Sequence, residues 1–222
     1  MLWYKGWLET RFKLLASLGL LGFILVSLYS LRTPVAGLVV MATTFVVLAY
    51  TILAGSGIAG RSSFRATKGS ALFTASLPAT RFRVLAVRAG LGWLEMAGAI
   101  GALCWGMWLV SPLASAAVTA REMFEYAGTL VACSSSLYSM AVLLSNLLGA
   151  RWSGWGSMMT FGALWWLSTH TPLPASVDIV RAMGDGSPLI AHTMPLTAMA
   201  FSLALAAILF FAALKIVQAR EY

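Results

Sequence analysis

Six apolar stretches, each about 18 to 25 residues long, dictate what this chain can become. They run over 14–31, 35–58, 89–110, 126–150, 152–169 and 194–214. A helix rises about 1.5 Å per residue, so each is long enough to cross roughly 30 Å of hydrocarbon. Inside a bilayer the backbone must satisfy its own polar groups, which makes helix the expected form of every one. Charged residues make up only 10% of the chain, against about 25% in soluble domains, too few to clothe a water-facing surface. The net charge of +8 would suit a nucleic acid. The cations, however, sit at the ends of apolar runs rather than in a stripe with aromatics, which fits headgroups and membrane topology. No small-residue cleavage pattern follows the first run, so it reads as a retained span and not a signal peptide. Cys104 and Cys133 fall inside apolar runs and read as buried thiols, with a disulfide between them as the alternative.

Orientation comes from the basic residues. The longest polar interval, 60–88, reads GRSSFRATKGSALFTASLPATRFRVLAVR and carries Arg61, Arg65, Lys68, Arg81, Arg83 and Arg88 without one acid. Placing the N-terminus inside puts these six, Lys5, Arg11, Lys13, Arg151, Lys215 and Arg220 on the cytoplasmic side. Only Arg32, Arg121 and Arg181 of the 15 Lys and Arg then fall outside. The expected fold is therefore an all-α integral membrane domain over 1–222, six transmembrane helices with both termini inside. Residues 1–13, MLWYKGWLETRFK, read as an interfacial amphipathic helix. Trp3 and Trp7 anchor one face, Lys5, Glu9 and Lys13 line the other, and Arg11 snorkels. Of two outer loops, 112–125 is short, with AREMFEY opening the fourth span. The longer, 170–193, holds a short helix in SVDIVRAM and a turn at Gly184-Asp185-Gly186. It dips back into the membrane or lies on the surface; the sequence leaves both open.

Polar residues inside the spans are the candidates for a pathway. Glu95 is the one acid within a span, and a carboxylate there is costly unless paired, protonated or hydrated. It stands two turns above Arg88 on the same face, so structural pairing is weighed ahead of proton or substrate handling. Ser135, Ser139, Val142 and Asn146 recur along one face of the fourth span, with Ser134, Ser136 and Tyr138 adding hydroxyls. Thr43, Val47, Tyr50 and Thr51 form a weaker stripe in the second. Such hydroxyls line a path or, more commonly, bond back to their own helix and glue neighbours together. Gly98, Ala102 and Gly106 make a small-residue stripe suited to a subunit interface or to internal packing.

Chemistry of the chain's own is not evident. No G-x-x-x-x-G-K-[ST] is present to cradle nucleotide phosphates. His170 and His192 lie near the outer loop without a cluster at metal-ligand spacing, and no serine pairs with a histidine in a hydrolase motif. Neither a catalytic, a cofactor nor a metal site is expected here.

Three segments resemble the permease subunits of ABC transporters, in particular the type-2, exporter-like permease family. They are the opening WYKGWLETRFKLL, the interval KGSALFTASLPATRFRVLAVRAGLGWLE with its Ser-Leu-Pro-x-[ST]-Arg element at Ser76 to Arg81, and the ending LFFAALKIVQAREY. Six spans with both termini inside also match, so the resemblance covers essentially the whole chain. It implies a separate ABC ATPase subunit that holds ATP and Mg, and a second permease subunit, identical or not, in a prokaryotic cytoplasmic (inner) membrane. It further implies a coupling helix at about Lys68 to Ser76 that docks in a groove of the ATPase. Lys68, Ala71, Phe73, Thr74, Ser76 and Arg81 are then the coupling residues, with Phe73 the anchor. Without the resemblance the same interval reads as a basic loop that enforces topology and touches anionic lipid. The alternatives are an ion- or proton-coupled transporter using Glu95 without an ATPase, a membrane enzyme, and a non-transporting scaffold or sensor.

Overall fold

A computed structural model of the chain describes residues 36–60, 81–110, 118–148 and 150–219. The described residues are helical, with no strand among them. The expected interfacial helix at 1–13 with Trp3 and Trp7, the first apolar segment, and Lys68 to Ser76 lie outside them. The other five apolar segments fall in long helices: α1 (Ala36–Gly60), α2 (Arg81–Val110), α3 (Ala120–Leu148), α4 (Ala150–His170) and α7 (Leu196–Ala219). Two short helices, α5 (Ile179–Met183) and α6 (Pro188–Ala191), stand between α4 and α7. Of the described helices, α3 and α7 are long and apolar enough to cross a membrane.

Two helices begin well before the apolar segments they contain. The span expected from Ala89 belongs to a helix that starts at Arg81, so the last third of the basic interval is helix, not loop. Apolar content marks the thickness of hydrocarbon. A helix whose backbone bonds are internal extends past that boundary as readily as within it. α3 starts at Ala120, at the head of the AREMFEY segment expected to open the fourth span, and a reciprocal capping box explains the position. Glu122 N–H donates to Thr119 Oγ1 at 3.2 Å, and Thr119 N–H donates to Glu122 Oε2 at 2.8 Å, satisfying donors that the first turn leaves open.

The long helices pack up and down. Thr43, early in α1, meets Met107, late in α2. Phe45 meets Phe161 and Trp165, late in α4. Thr129 and Met199 join the early parts of α3 and α7. Thus α1, α3 and α7 run one way and α2 and α4 the other. α3 is the hub, touching every other described helix. Its apolar window is 67% buried against 22% for α7, although α3 is the more polar. Small side chains resolve that mismatch: Cys133, Ser134, Ser135, Ser136 and Ala141 are all buried and let neighbours approach on every side. Among the described glycines the tightest is Gly55 of α1, where an added Cβ would stand 2.7 Å from Ala141 Cβ and 2.9 Å from the Tyr138 carbonyl oxygen. The outside is apolar instead, with Trp105, Leu109, Trp152, Trp155, Met159, Trp166, Ile208 and Phe211 exposed.

Residues 171–195 fold as a cap on one end of the bundle. The helix expected in SVDIVRAM is present but begins at Ile179, because Asp178 caps it by accepting from Arg181 N–H at 2.9 Å. The same carboxylate oxygen accepts from Ser168 Oγ of α4 at 2.7 Å. The expected turn at Gly184 to Gly186 is closed by Gly186 N–H donating to Arg181 O at 2.8 Å. Ile179, Ala182 and Met183 are buried beneath it, and Thr44 of α1 donates to the Met183 carbonyl at 3.3 Å.

Candidate polar sites inside the helix bundle

The polar side chains within the bundle form two layers. The deeper one joins α1, α2 and α3. Tyr138 of α3 is buried and donates its hydroxyl proton to the Ala89 carbonyl of α2 at 2.8 Å. Glu95 of α2 and Tyr50 of α1 lie within electrostatic reach of that hydroxyl. Trp93 donates its indole N–H to Ser135 Oγ at 2.8 Å, and Ser135 passes its own proton to the Val131 carbonyl at 2.7 Å. A tryptophan that is mostly enclosed in an apolar core requires a partner for its N–H, and the central serine supplies it.

Of the sequence candidates, Tyr50, Glu95 and Ser135 therefore converge on this layer. Ser139 is buried one turn along α3 from Ser135. Asn146 lies farther on, where its amide donates to Val142 O of its own helix at 2.8 Å. Thr43 belongs to the other layer, bonded to Met107 Sδ at 3.4 Å. Arg81 is the first residue of α2, away from both. The remaining coupling candidates, Lys68, Ala71, Phe73, Thr74 and Ser76, lie outside the described residues.

The second layer sits under the cap and was largely missed. It holds Thr43, Thr44, Cys104, Met107, Tyr126 and Met183, all buried. Tyr126 had marked only the start of a span. The available signal was that a tyrosine at the very start of an apolar run needs a partner for its hydroxyl. Ser202 of α7 was missed too; its Oγ lies 2.9 Å from Ser136 Oγ and 3.0 Å from the Cys133 carbonyl, tying α7 to the hub.

At the surface of the cap, ahead of the apolar part of α3, Glu122 also meets His192 Nδ1 at 3.2 Å. His192 is a left-handed residue, φ 53°, that ends α6. The Glu122 carboxyl is held below its ordinary value by the backbone N–H of Thr119, then by the Thr119 hydroxyl and His192. His170 Nδ1 is 2.8 Å from Thr169 Oγ1, with its ring stacked on Trp166. Both thiols, Cys104 and Cys133, are free. Among the described residues, no three His, Cys, Asp or Glu side chains gather at metal-binding range. Comparison with protein-family models, with characterised proteins and with solved structures gives no match to this chain.

Proposed function

We propose that this chain is the transmembrane permease subunit of an ATP-driven ABC exporter. It spans a prokaryotic cytoplasmic membrane six times with both termini inside. Two permease subunits form the path, and a separate ATPase drives it through the interval between α1 and α2. The observation that carries the reading is the polarity of the bundle's two ends. The end at which α1 stops and α2 starts also holds the α3–α4 junction and the close of α7, bringing Arg81, Arg83, Arg88, Arg151 and Lys215 to one side. The capped end carries Glu122, Glu125, Asp178 and Asp185 with Arg121 and Arg181. Segregated cations define a cytoplasmic face, and the exposed apolar girdle between the ends suits lipid. A 20-residue basic interval, 61–80, leaves that face between two bundle helices, where a soluble motor could push on both.

Proton coupling through Glu95, with no ATPase, is the second reading. It draws on the closeness of Glu95 to Tyr138 and Tyr50. One experiment divides the two. The tagged chain is purified from its native host in mild detergent, alongside Phe73→Asp, and the retained ATP hydrolysis is measured. The proposal expects an ATPase subunit that the wild type holds and Phe73→Asp releases. If no ATPase is retained, and transport loses its pH dependence in Glu95→Gln, the ABC reading is wrong.

A further inference from the structure

α4 combines two properties that a lipid-facing helix does not. It is exposed along most of its length, yet it falls short of the apolar content that α3 and α7 reach. α3 is enclosed and α7 is strongly apolar, so each suits its surroundings. Residues 152–169 instead mix tryptophan and methionine with glycine, serine and threonine. The inner side of α4 is accounted for. Ser157 is buried, Gly156 backs onto Leu144 and Leu148 of α3, and Phe161 and Trp165 pack against Phe45 of α1. The opposite side carries Trp152, Trp155, Met159, Gly162 and Trp166, alternately three and four residues apart. That spacing makes one straight seam, the pattern by which two helices pack side by side at a small crossing angle. Trp152, Trp155, Met159 and Trp166 are 64%, 65%, 75% and 59% exposed, and a Cβ added at Gly162 would meet nothing within 4 Å.

Lipid alone does not account for this seam. Tryptophans that anchor a helix in both headgroup layers stand about 30 Å apart. At about 1.5 Å per residue, Trp155 and Trp166 are only about 16 Å apart along the axis. At least one ring therefore lies within hydrocarbon, where its N–H finds no acceptor. A protein surface supplies acceptors, and the area suits one. Taking about 250 Å² for a whole tryptophan and somewhat less for methionine, the exposed parts of the four large side chains come to roughly 600 Å². Met158, exposed at the edge of the seam, brings the face near the ~800 Å² that each partner of a stable interface buries. Shape identifies the occupant. Two copies related by a two-fold axis along the membrane normal bring the same seam against itself, with both α4 helices running the same way. They approach closest at Gly162, and the indoles of Trp155 and Trp166 on either side fill the space where the axes diverge.

We propose that the Trp152 to Trp166 face of α4 is the surface through which two copies of this chain pair in the membrane. The pairing rests on the permease reading for its need of a second subunit. The link between chains is scored whether or not an ATPase is retained, so either idea can fail alone.

The full-length chain is expressed with two different tags in one host, and its membranes are oxidised with copper phenanthroline. Cys104 and Cys133 are buried, so the wild type serves as the unlinked background. Met159→Cys and Gly162→Cys are expected to give a disulfide-linked pair carrying both tags. Leu164→Cys, on the opposite side of α4, and Ile208→Cys, exposed on α7, give no more than the wild type. Gly162→Leu supplies the second readout. Space is open around that Cβ within one chain, and leucine is the better helix former, so in a detergent that separates the copies the variant unfolds at the same or a higher temperature. In a mild detergent its capture of the second tag falls by about tenfold or more, as overpacking at a crossing does. No link at either seam position, equal linking at Ile208→Cys, or pairing that Gly162→Leu leaves intact would each overturn the proposal. So would a link formed inside one chain between Met159→Cys and Leu21→Cys, which would make the first apolar segment the occupant.

Discussion

The crossing of α1 over α3 at Gly55 supports a prediction whose size can be worked out. Gly55→Ala would set a methyl 2.7 Å from Ala141 Cβ and 2.9 Å from Tyr138 O, where ordinary contacts are 3.4–4 Å. Neither neighbour can swing away, because one is a Cβ fixed to the helix and the other is backbone. The helices must part by roughly 1 Å at the crossing, an overpacking strain of about 1–3 kcal/mol. Alanine also gains about 0.8–1 kcal/mol of helix propensity over glycine, which would mask part of the loss in a single measurement. Gly98→Ala removes that ambiguity. It carries the same propensity gain, and nothing lies within 4 Å of the added Cβ. The difference between the two variants therefore isolates the crossing. Unfolding followed by tryptophan fluorescence in detergent is expected to place Gly55→Ala below Gly98→Ala by about 2–4 °C for each kcal/mol of strain. Adding Ala141→Gly removes the 2.7 Å contact but not the 2.9 Å one, and because it gives up about 0.8–1 kcal/mol of propensity itself, the double variant is read against Ala141→Gly alone: Gly55→Ala should cost less in the Ala141→Gly background than in the wild type. Equal unfolding temperatures for the two alanine variants, or the same cost of Gly55→Ala in both backgrounds, would refute the close approach.

Two further outcomes concern the cap. Asp178→Ala removes the acceptor for both Ser168 Oγ and Arg181 N–H and is expected to cost about 0.5–2 kcal/mol; hydrogen exchange should speed up across 171–195 while α3 stays protected, and Asp178→Asn should restore most of the protection. The Glu122 contact sets a pH dependence. Its carboxyl is depressed in the folded state, so its contribution is fully present above the ordinary value of 4.5 and is lost as pH falls through the folded value. Exchange at 118–122 and 188–195 should rise together in that acid range for the wild type, and an unchanged acid profile in Glu122→Gln would count against the linkage.

How much of this could be read in advance depends on the range of each interaction. Helical segments were legible because an apolar run that long has few other forms, and the short helix at Ile179 and the turn at Gly184 to Gly186 were legible from Asp178, Gly and Pro. The start of α2 was misplaced because hydropathy reports the membrane and not the helix, whereas the start of α3 was legible in AREMFEY, which the capping box at Thr119-Ala120-Arg121-Glu122 opens. Convergence was not legible. The periodicity of Ser135 and Ser139 identifies a face of α3 but not Trp93, which meets that face from α2. Thr43 and Met107 are 64 residues apart, and nothing local to either names the other.

The hydrogen-bond directions along α3 bear on what a path through this bundle could carry. Ser135, Ser136 and Ser145 give their protons to carbonyls of α3 three or four residues back, as do Thr129 and Asn146. Thr51 of α1 does the same. Each hydroxyl so engaged has lone pairs left and no proton to offer. The α3 serines follow that rule across helices, with the Trp93 indole donating to Ser135 and Ser202 approaching the Ser136 oxygen, whereas Tyr138 donates outward to the Ala89 carbonyl and Thr129 reaches Met199 Sδ. Glu95 adds a carboxyl group near the same depth, beside Tyr138. The serine face of the hub is thus biased toward accepting. A molecule that moved along it would find partners for N–H and O–H groups or for positive charge, and few for an anion. In the packed state those acceptors already hold the helices together, so under the proposed export function a path would open only by exchanging donors on neighbouring helices for donors on the cargo.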